Sequence, residues 1–268
     1  MKKIVLILCF VFGFCFGDEA LNLEIATSQD LNLTKQVSIL NEAILNNDYE
    51  KAKIMLDKNP NLVNISSKVN SNVYETMFLN ENSIVLMANF LYQYDNFENL
   101  NNKLKERLIY KAIPEAYSLP SETISLLNKI KNSSFNFRIF NDNFSIKNSN
   151  YNVLKSAYFL DNIDIFSFFM ENGVILNEQN RFLLFLYIDI LECIDDKFLE
   201  NQNLDKVKDI VNTSKYKNCK NKYLKYLKII LKYQDVNDII FDCNFLIDFA
   251  YKINDYEILN LLDVKHVR

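Results

Sequence analysis

Apolar residues recur at helical spacing along most of the chain, and short polar breaks separate the apolar runs. Residues 40–64 show this most clearly: one apolar run stops at the polar residues 46–48, and a second stops at Asn59 and Pro60. Positions i, i+3 and i+4 share one face of a helix, and Asn followed by Pro is typical of a helix end. The stretch therefore predicts two short helices joined by a tight reversal.

Two residues of this stretch indicate how such helices would pack. Ala43 lies on the apolar face, where its small side chain lets a neighbouring helix approach closely. Asn47 stands at the reversal, and asparagine is one of the few non-glycine residues that tolerate a left-handed backbone. The same arrangement returns at residues 154–177 and 247–264. The pattern thus predicts an all-α chain of stacked helical hairpins.

The three stretches resemble the ankyrin repeat, whose two helices are joined at a glycine and closed by a second glycine and an asparagine. Matching positions in the first stretch are Leu40, Ala43, Glu50, Ile54, Met55 and Asn64. Those in the second are Leu154, Ala157, Asp164, Phe168, Phe169, Gly173 and Asn177. Those in the third are Ile247, Ala250, Asn254, Tyr256, Glu257, Leu261 and Leu262. The resemblance implies an ankyrin-like stack of antiparallel hairpins, an α-solenoid.

The chain departs from the ankyrin pattern in two ways. Asn47, Asp161 and Asn254 replace the glycine between the helices. The three stretches begin at residues 40, 154 and 247 rather than at multiples of about 33 residues. We therefore expect divergent units and irregular insertions between them, with candidates at residues 109–127, 182–211 and 227–237. Residues 70–105 are expected to be helical but fit the pattern poorly.

One segment shows a different periodicity. In residues 133–148, Phe135, Phe137 and Ile139 alternate with polar residues, and Phe144 and Ile146 do so after a polar turn. Alternation is a weak signal for a β-hairpin. The segment is expected to form either one small β-hairpin or an irregular loop.

The N-terminus has the pattern of a secretory signal peptide. Lys2 and Lys3 precede a thirteen-residue apolar run, and acidic residues follow Gly17. The alternative, a retained membrane anchor, would need roughly 20 apolar residues. We expect cleavage after Gly17, a flexible lead-in over residues 18–33 and a single ankyrin-like domain over residues 34–268. The mature protein would be periplasmic or secreted, with no integral membrane span.

Composition supports a globular helical chain and narrows the possible functions. The chain has 268 residues, 49% of them hydrophobic, with only three Gly and three Pro, too few for the turns of a β-sandwich or barrel. A net charge of −4 provides no broad basic field for nucleic acid. His266 is the only histidine, and Gly173 would be the only glycine after cleavage. We therefore expect no enzyme activity, no cofactor and no metal site.

Two covalent modifications are compatible with export. Cys193, Cys219 and Cys243 would remain after cleavage, which allows one disulfide and one free thiol, or three buried thiols. Asn32 lies in an Asn-x-Thr glycosylation pattern. Asparagine is so frequent here that a chance match is the alternative explanation.

A lysine-rich run stands out near the C-terminus. Its lysines are Lys215, Lys217, Lys220, Lys222, Lys225, Lys228 and Lys232. Helical spacing places Tyr223, Leu224, Leu227, Ile230 and Leu231 on the buried side, and Lys225, Lys228 and Lys232 on the wet side. The run is either a solvated helix face or a patch for an acidic protein or an anionic lipid surface.

The resemblance also implies a partner surface. In ankyrin proteins, partners contact the inner helix ends, and the matching positions just after the small alanines are Leu45, Asn46, Phe159, Leu160, Lys252 and Ile253. Phe159 and Leu160 are apolar where a monomer would prefer polar residues, so they either contact a partner or are covered by an inserted segment.

These observations predict an exported scaffold that binds another protein. One version is an envelope inhibitor or immunity-type protein that neutralises a toxin or enzyme through a tight one-to-one complex. The alternative is a structural accessory protein of the envelope with several weak contacts.

Overall fold

The computed structural model describes residues 33–65, 71–80, 82–141, 153–176, 194, 210–235 and 239–262. Within these ranges the chain forms eleven α-helices and three short 3-10 helices, and no strand. The all-α prediction is therefore confirmed. The proposed signal peptide and Asn32 lie outside the described residues, and Leu33 already begins the first helix.

Contacts between residues divide the chain into two compact units, Met1–Ile109 and Tyr110–Arg268. The helices of the first unit, the last of which continues into the second, are α1 (Leu33–Leu45), α2 (Tyr49–Lys58), α3 (Val73–Met77), α4 (Ile84–Asp95) and α5 (Asn102–Glu115). Those of the second are α6 (Pro120–Asn132), α7 (Val153–Phe159), α8 (Ile163–Glu171), α9 (Ser214–Tyr233), α10 (Ile240–Ile253) and α11 (Tyr256–Leu261). The 3-10 helices span Pro60–Asn64, Phe137–Asn141 and Ile210–Asn212. A single domain over residues 34–268 stays a prediction.

The three recognised reversals have the same backbone geometry. Asn47, Asp161 and Asn254 adopt left-handed conformations with φ of 55°, 50° and 57°. The amide of the residue after each donates to the carbonyl of the small alanine five positions earlier, at 2.8–2.9 Å. This is the bond that closes a helix C-terminus in the Schellman motif. The prediction of a tight reversal with a left-handed backbone at Asn47 is confirmed, and Asp161 and Asn254 share this conformation.

The residue after each left-handed position begins the second helix. Asp48, Asn162 and Asp255 accept bonds from backbone amides in the first turns of α2, α8 and α11. Such side-chain caps satisfy amides that have no partner within the helix. An Asn-Asp or Asp-Asn dipeptide thus ends one helix and starts the next.

The small alanines are buried as expected. Ala43, Ala157 and Ala250 are at most 1% exposed, and the two helices of each pair contact each other. A larger side chain at these positions would separate the paired helices.

A further pair, α3 and α4, follows the first one. Asn80 lies 33 residues after Asn47, and the two side-chain amides bond each other at 2.9 and 3.2 Å. The Asn80 amide also donates to the Ile44 carbonyl. This pair joins the turn between α1 and α2 to the turn between α3 and α4. The expectation that residues 70–105 are helical is confirmed for the described part of the segment, which holds α3, α4 and the start of α5.

The glycine predicted to close α8 does so. Gly173 has φ of 85°, and an added Cβ would lie 3.0 Å from Nε of Arg138. Side-chain amides then hold the loop that follows: Asn141 bonds the Gly173 carbonyl and the Ile175 amide, and Gln234 bonds both backbone groups of Leu176. Asn177 lies outside the described residues.

The β-hairpin prediction is wrong for the part of residues 133–148 that is described. Phe137–Asn141 forms a 3-10 helix, in which residues three apart share one side, so Phe137 and Phe140 both face the core. Their rings pack against Phe168 and Phe169 of α8 at centroid distances of 5.3 and 6.0 Å. The apolar alternation reflects this packing rather than a strand. Phe144 and Ile146 lie outside the described residues.

Asn254 allows a direct test of the left-handed turns. Its side chain makes no hydrogen bond to the described residues, so a substitution there changes mainly the backbone preference. Asn254→Gly should alter the free energy of unfolding by less than about 0.5 kcal/mol, whereas Asn254→Val should lower it by about 1–2 kcal/mol. Urea unfolding of both variants would measure this, and equal stabilities would contradict a left-handed residue here.

Candidate protein-binding surface

The structure exposes five of the six predicted contact residues at least partly. Leu45, Asn46, Phe159 and Lys252 are exposed, with Phe159 at 60%, and Leu160 is partly exposed. Ile253 is fully buried, so its prediction as a contact residue is wrong. Asn46 and Leu160 follow the last residue of their helices, whereas α10 continues through Ile253. Three residues after Ala250 within one helix, Ile253 therefore turns to the same buried face.

In the second unit, two of these turns are neighbours. The Asn162 side-chain amide lies 3.5 Å from the Ala116 carbonyl in the turn between α5 and α6. The next residue, Tyr117, is 81% exposed. Exposed aromatic rings therefore occur on adjacent turns, at Tyr117 and Phe159.

Helix α9 contacts the turn between α7 and α8. The Tyr226 hydroxyl donates to Asp161 at 3.1 Å, and Lys222 Nζ lies 3.6 Å from the same carboxylate. Lys222 Nζ also lies 5.4 Å from the ring centroid of Tyr158. Burial, followed by the charge of Asp161, raises the pKa of Tyr226, so this hydroxyl stays a donor.

On another side, α9 contacts the turn between α10 and α11 through a buried polar cluster. The Tyr216 hydroxyl donates to Asp255 at 2.8 Å, and Lys220 Nζ lies 2.9 Å from Asp255 and 2.8 Å from Glu257. Burial lowers the pKa of Lys220, but its bonds to the two carboxylates outweigh that effect and raise it. Burial is also the main reason that the pKa of Tyr216 is raised. Asp255 therefore caps α11 and fastens it to α9.

In the described part of the second unit, the large aromatic residues that are exposed lie at or next to these turns. Tyr251 and Tyr256 flank the turn between α10 and α11, and Tyr256 is 67% exposed. Together with Tyr117 and Phe159 they form a set that we call the turn aromatics. Of the four, only Phe159 was predicted from the sequence as a contact residue. The other three could have been recognised as turn residues from their positions: Tyr117 follows Ala116, and Tyr251 and Tyr256 lie close to the Asn254–Asp255 reversal.

The lysine-rich helix is amphipathic as predicted. Tyr223, Leu224, Leu227 and Ile230 are buried, whereas Leu231 is partly exposed. The lysines expected on the wet side, Lys225, Lys228 and Lys232, are exposed. Lys220 differs from them because it turns toward Asp255.

Cys219, on α9, is disulfide-bonded. Cys193 and the side chain of Cys243 lie outside the described residues, so the pairing stays a prediction. Non-reduced peptide mapping by mass spectrometry should find Cys219 linked to one of these two and the other free. Three free thiols in oxidised protein would contradict the bond.

Metal-binding clusters and membrane-spanning helices do not occur among the described residues. No three His, Cys, Asp or Glu residues there cluster in a way that could hold a metal ion. Likewise, no helix in the described part is both long and apolar enough to cross a bilayer. His266 lies outside those ranges.

Comparison with protein-family models finds no family that matches this chain, and comparisons with curated proteins and with solved structures find no match either.

Proposed function

We propose that this chain is an exported, ankyrin-like scaffold that binds another protein through the turns of its helix pairs. The observation that carries the proposal is the set of turn aromatics in the second unit. Phe159, Tyr117 and Tyr256 are each at least 60% exposed on turns that hydrogen bonds hold in place. Aromatic residues on a preorganised surface are frequent anchors of protein interfaces.

Two features support the ankyrin-like part of the proposal. The reversals at Asn47, Asp161 and Asn254 share one geometry, in which a left-handed residue takes the place of the glycine of ankyrin repeats. The bonded residues Asn47 and Asn80 are separated by 33 residues, which is the length of an ankyrin repeat. Stacks of such units present extended surfaces suited to protein recognition.

Export is supported by the leader-like pattern that ends at Gly17 and by the disulfide of Cys219. Disulfides persist in oxidising compartments such as the periplasm and are rare in the cytosol. Both features are consistent with a periplasmic or secreted location.

Site-specific photo-crosslinking would test the proposal. A photoreactive phenylalanine analogue replaces Phe159, and the matched control replaces Ile54 on α2, which is 45% exposed and lies outside the turns. The expected result is one discrete crosslinked protein at residue 159 and none at residue 54. Equal crosslinking at both positions, or none at residue 159, would contradict binding through the turns.

The stoichiometry of the captured complex would distinguish the versions of the proposal. A stable one-to-one complex that abolishes an activity of the partner indicates an inhibitor or immunity-type protein. Crosslinks to several abundant envelope proteins without a dominant one indicate a structural accessory protein.

A further inference from the structure

Helix α9 carries an unusual concentration of positive charge. Its twenty residues include seven lysines and no Asp or Glu. Six of the lysines are exposed or nearly half exposed on one side of the helix: Lys215, Lys217, Lys222, Lys225, Lys228 and Lys232. We call these six the basic face of α9. The chain as a whole is acidic, with a net charge of −4, so the face is a local exception.

Little in the described part of the chain neutralises the basic face. Lys222 Nζ lies 3.6 Å from a carboxylate oxygen of Asp161, which is a long ion pair. Lys217, Lys225 and Lys228 lie within 4 Å of no carboxylate among the described residues. Like charges one helical turn apart, about 5 Å along the axis, repel each other because this separation is below the screening length of about 8 Å at physiological salt. An opposing acidic surface would relieve this repulsion and speed association with a partner.

The surroundings of the basic face favour a protein over a lipid bilayer. Asp161, whose side chain is 62% exposed, lies beside α9 near exposed Phe159, and Glu257, whose side chain is 55% exposed, lies next to exposed Tyr256. An anionic bilayer is uniformly negative and would repel these carboxylates. The apolar side of α9 is buried in the protein, so it is not free to insert into lipid. A protein can place its acids opposite the lysines alone and its pockets opposite the aromatic rings.

We propose that the basic face of α9, together with Phe159 and Tyr256, docks an acidic surface of the partner protein. This inference rests on the proposed function, because it specifies the chemistry of the same partner. Twenty helical residues extend about 30 Å, which is long enough for a substantial part of an ordinary protein interface. The lysines would select and orient the acidic partner, and the two aromatic residues would anchor it.

Charge reversal tests the inference in the full-length protein. The test variant carries Lys217→Glu, Lys225→Glu and Lys228→Glu. The control carries Lys35→Glu, Lys103→Glu and Lys111→Glu, three lysines that are also exposed but lie on other helices, so both variants have the same net charge. The probe is the protein captured at residue 159, purified and titrated by calorimetry. We expect the test variant to bind at least about tenfold more weakly and the control less than about twofold more weakly.

Each other outcome has a distinct meaning. Equal binding by the test variant and the control would overturn docking on α9 and leave the proposed function intact. If the wild-type protein binds vesicles with 30% phosphatidylglycerol and the test variant does not, the basic face binds lipid. That result would overturn the inference that its partner is a protein. Failure to capture any protein at residue 159 would contradict the proposed function itself. Unchanged circular dichroism establishes that the variants are folded. A partner whose contacting acidic residues are changed to lysine should bind the test variant again, because the charges on the two surfaces are then exchanged.

Discussion

Asp255→Ala is expected to lower the free energy of unfolding by about 3–4 kcal/mol, the largest loss of any single polar substitution described here. The side chain is 2% exposed, accepts the Tyr216 hydroxyl, pairs with Lys220 and caps α11. Its removal leaves a buried hydroxyl and a mostly buried ammonium group with fewer partners. Thermal unfolding should shift downward by about 10 °C.

Asp48→Ala is the matched control for this substitution. Asp48 caps α2 in the equivalent reversal, but it is exposed and contacts no Tyr or Lys side chain in the way that Asp255 does. Losing a helix cap alone costs about 1 kcal/mol. Similar losses for the two substitutions would show that the contacts of Asp255 with α9 contribute nothing to stability.

Phe166→Ala and Phe159→Ala remove the same side chain, but the first should lower stability and the second should weaken binding. Phe166 is fully buried, and its ring packs edge-on against Tyr226 at 5.0 Å between centroids. Removing it should lower the free energy of unfolding by about 3–5 kcal/mol because a cavity remains between α8 and α9. Phe159 is exposed, so its removal should change stability by less than about 0.5 kcal/mol.

Binding provides the second measurement for this pair. Phe159→Ala should weaken binding of the captured partner by at least about tenfold, as expected for an aromatic anchor. Chemical denaturation and calorimetry on the two purified variants give both quantities. A stable Phe159→Ala protein with unchanged affinity would remove Phe159 from the binding surface.

The reversals could be predicted from sequence because their cause is local. A left-handed residue favours Asn or Asp when glycine is absent, and a helix start favours the same residues, so the dipeptides at Asn47, Asp161 and Asn254 marked both events. The burial of the alanines five residues before each cap could likewise be predicted from the local sequence, because they lie on the apolar face of their helix.

The α3–α4 pair could not be predicted from the sequence pattern of the α1–α2 pair, because its own sequence departs from that pattern. Thr76 replaces the small alanine, and the step from it to the cap Ser83 is seven residues instead of five. The sequence alignment of α3 with α1 therefore differs by two residues from the alignment of α4 with α2. The hydrogen bonds between Asn47 and Asn80 show that the two turns correspond, but these bonds can be seen only in the folded structure.

The contacts of α9 could not be predicted because they join residues far apart in sequence. Tyr216 and Asp255 are 39 positions apart, and Tyr226 and Asp161 are 65 apart. Periodicity gives the direction of a side chain from its own helix but not the group that it meets. The contact of Lys220 with Asp255 could not be predicted from the lysine-rich run for this reason.

The attachment of α9 to two reversals affects how the second unit can open. Arrays of helix pairs commonly lose their outer pairs first, since each pair contacts only its neighbours. Here the α10–α11 pair cannot detach until the bond from Tyr216 to Asp255 breaks, and α7–α8 is fastened to the same helix through Tyr226. Because α9 is bonded to both helix pairs, it opposes the fraying of either pair and makes the loss of either one a more cooperative event.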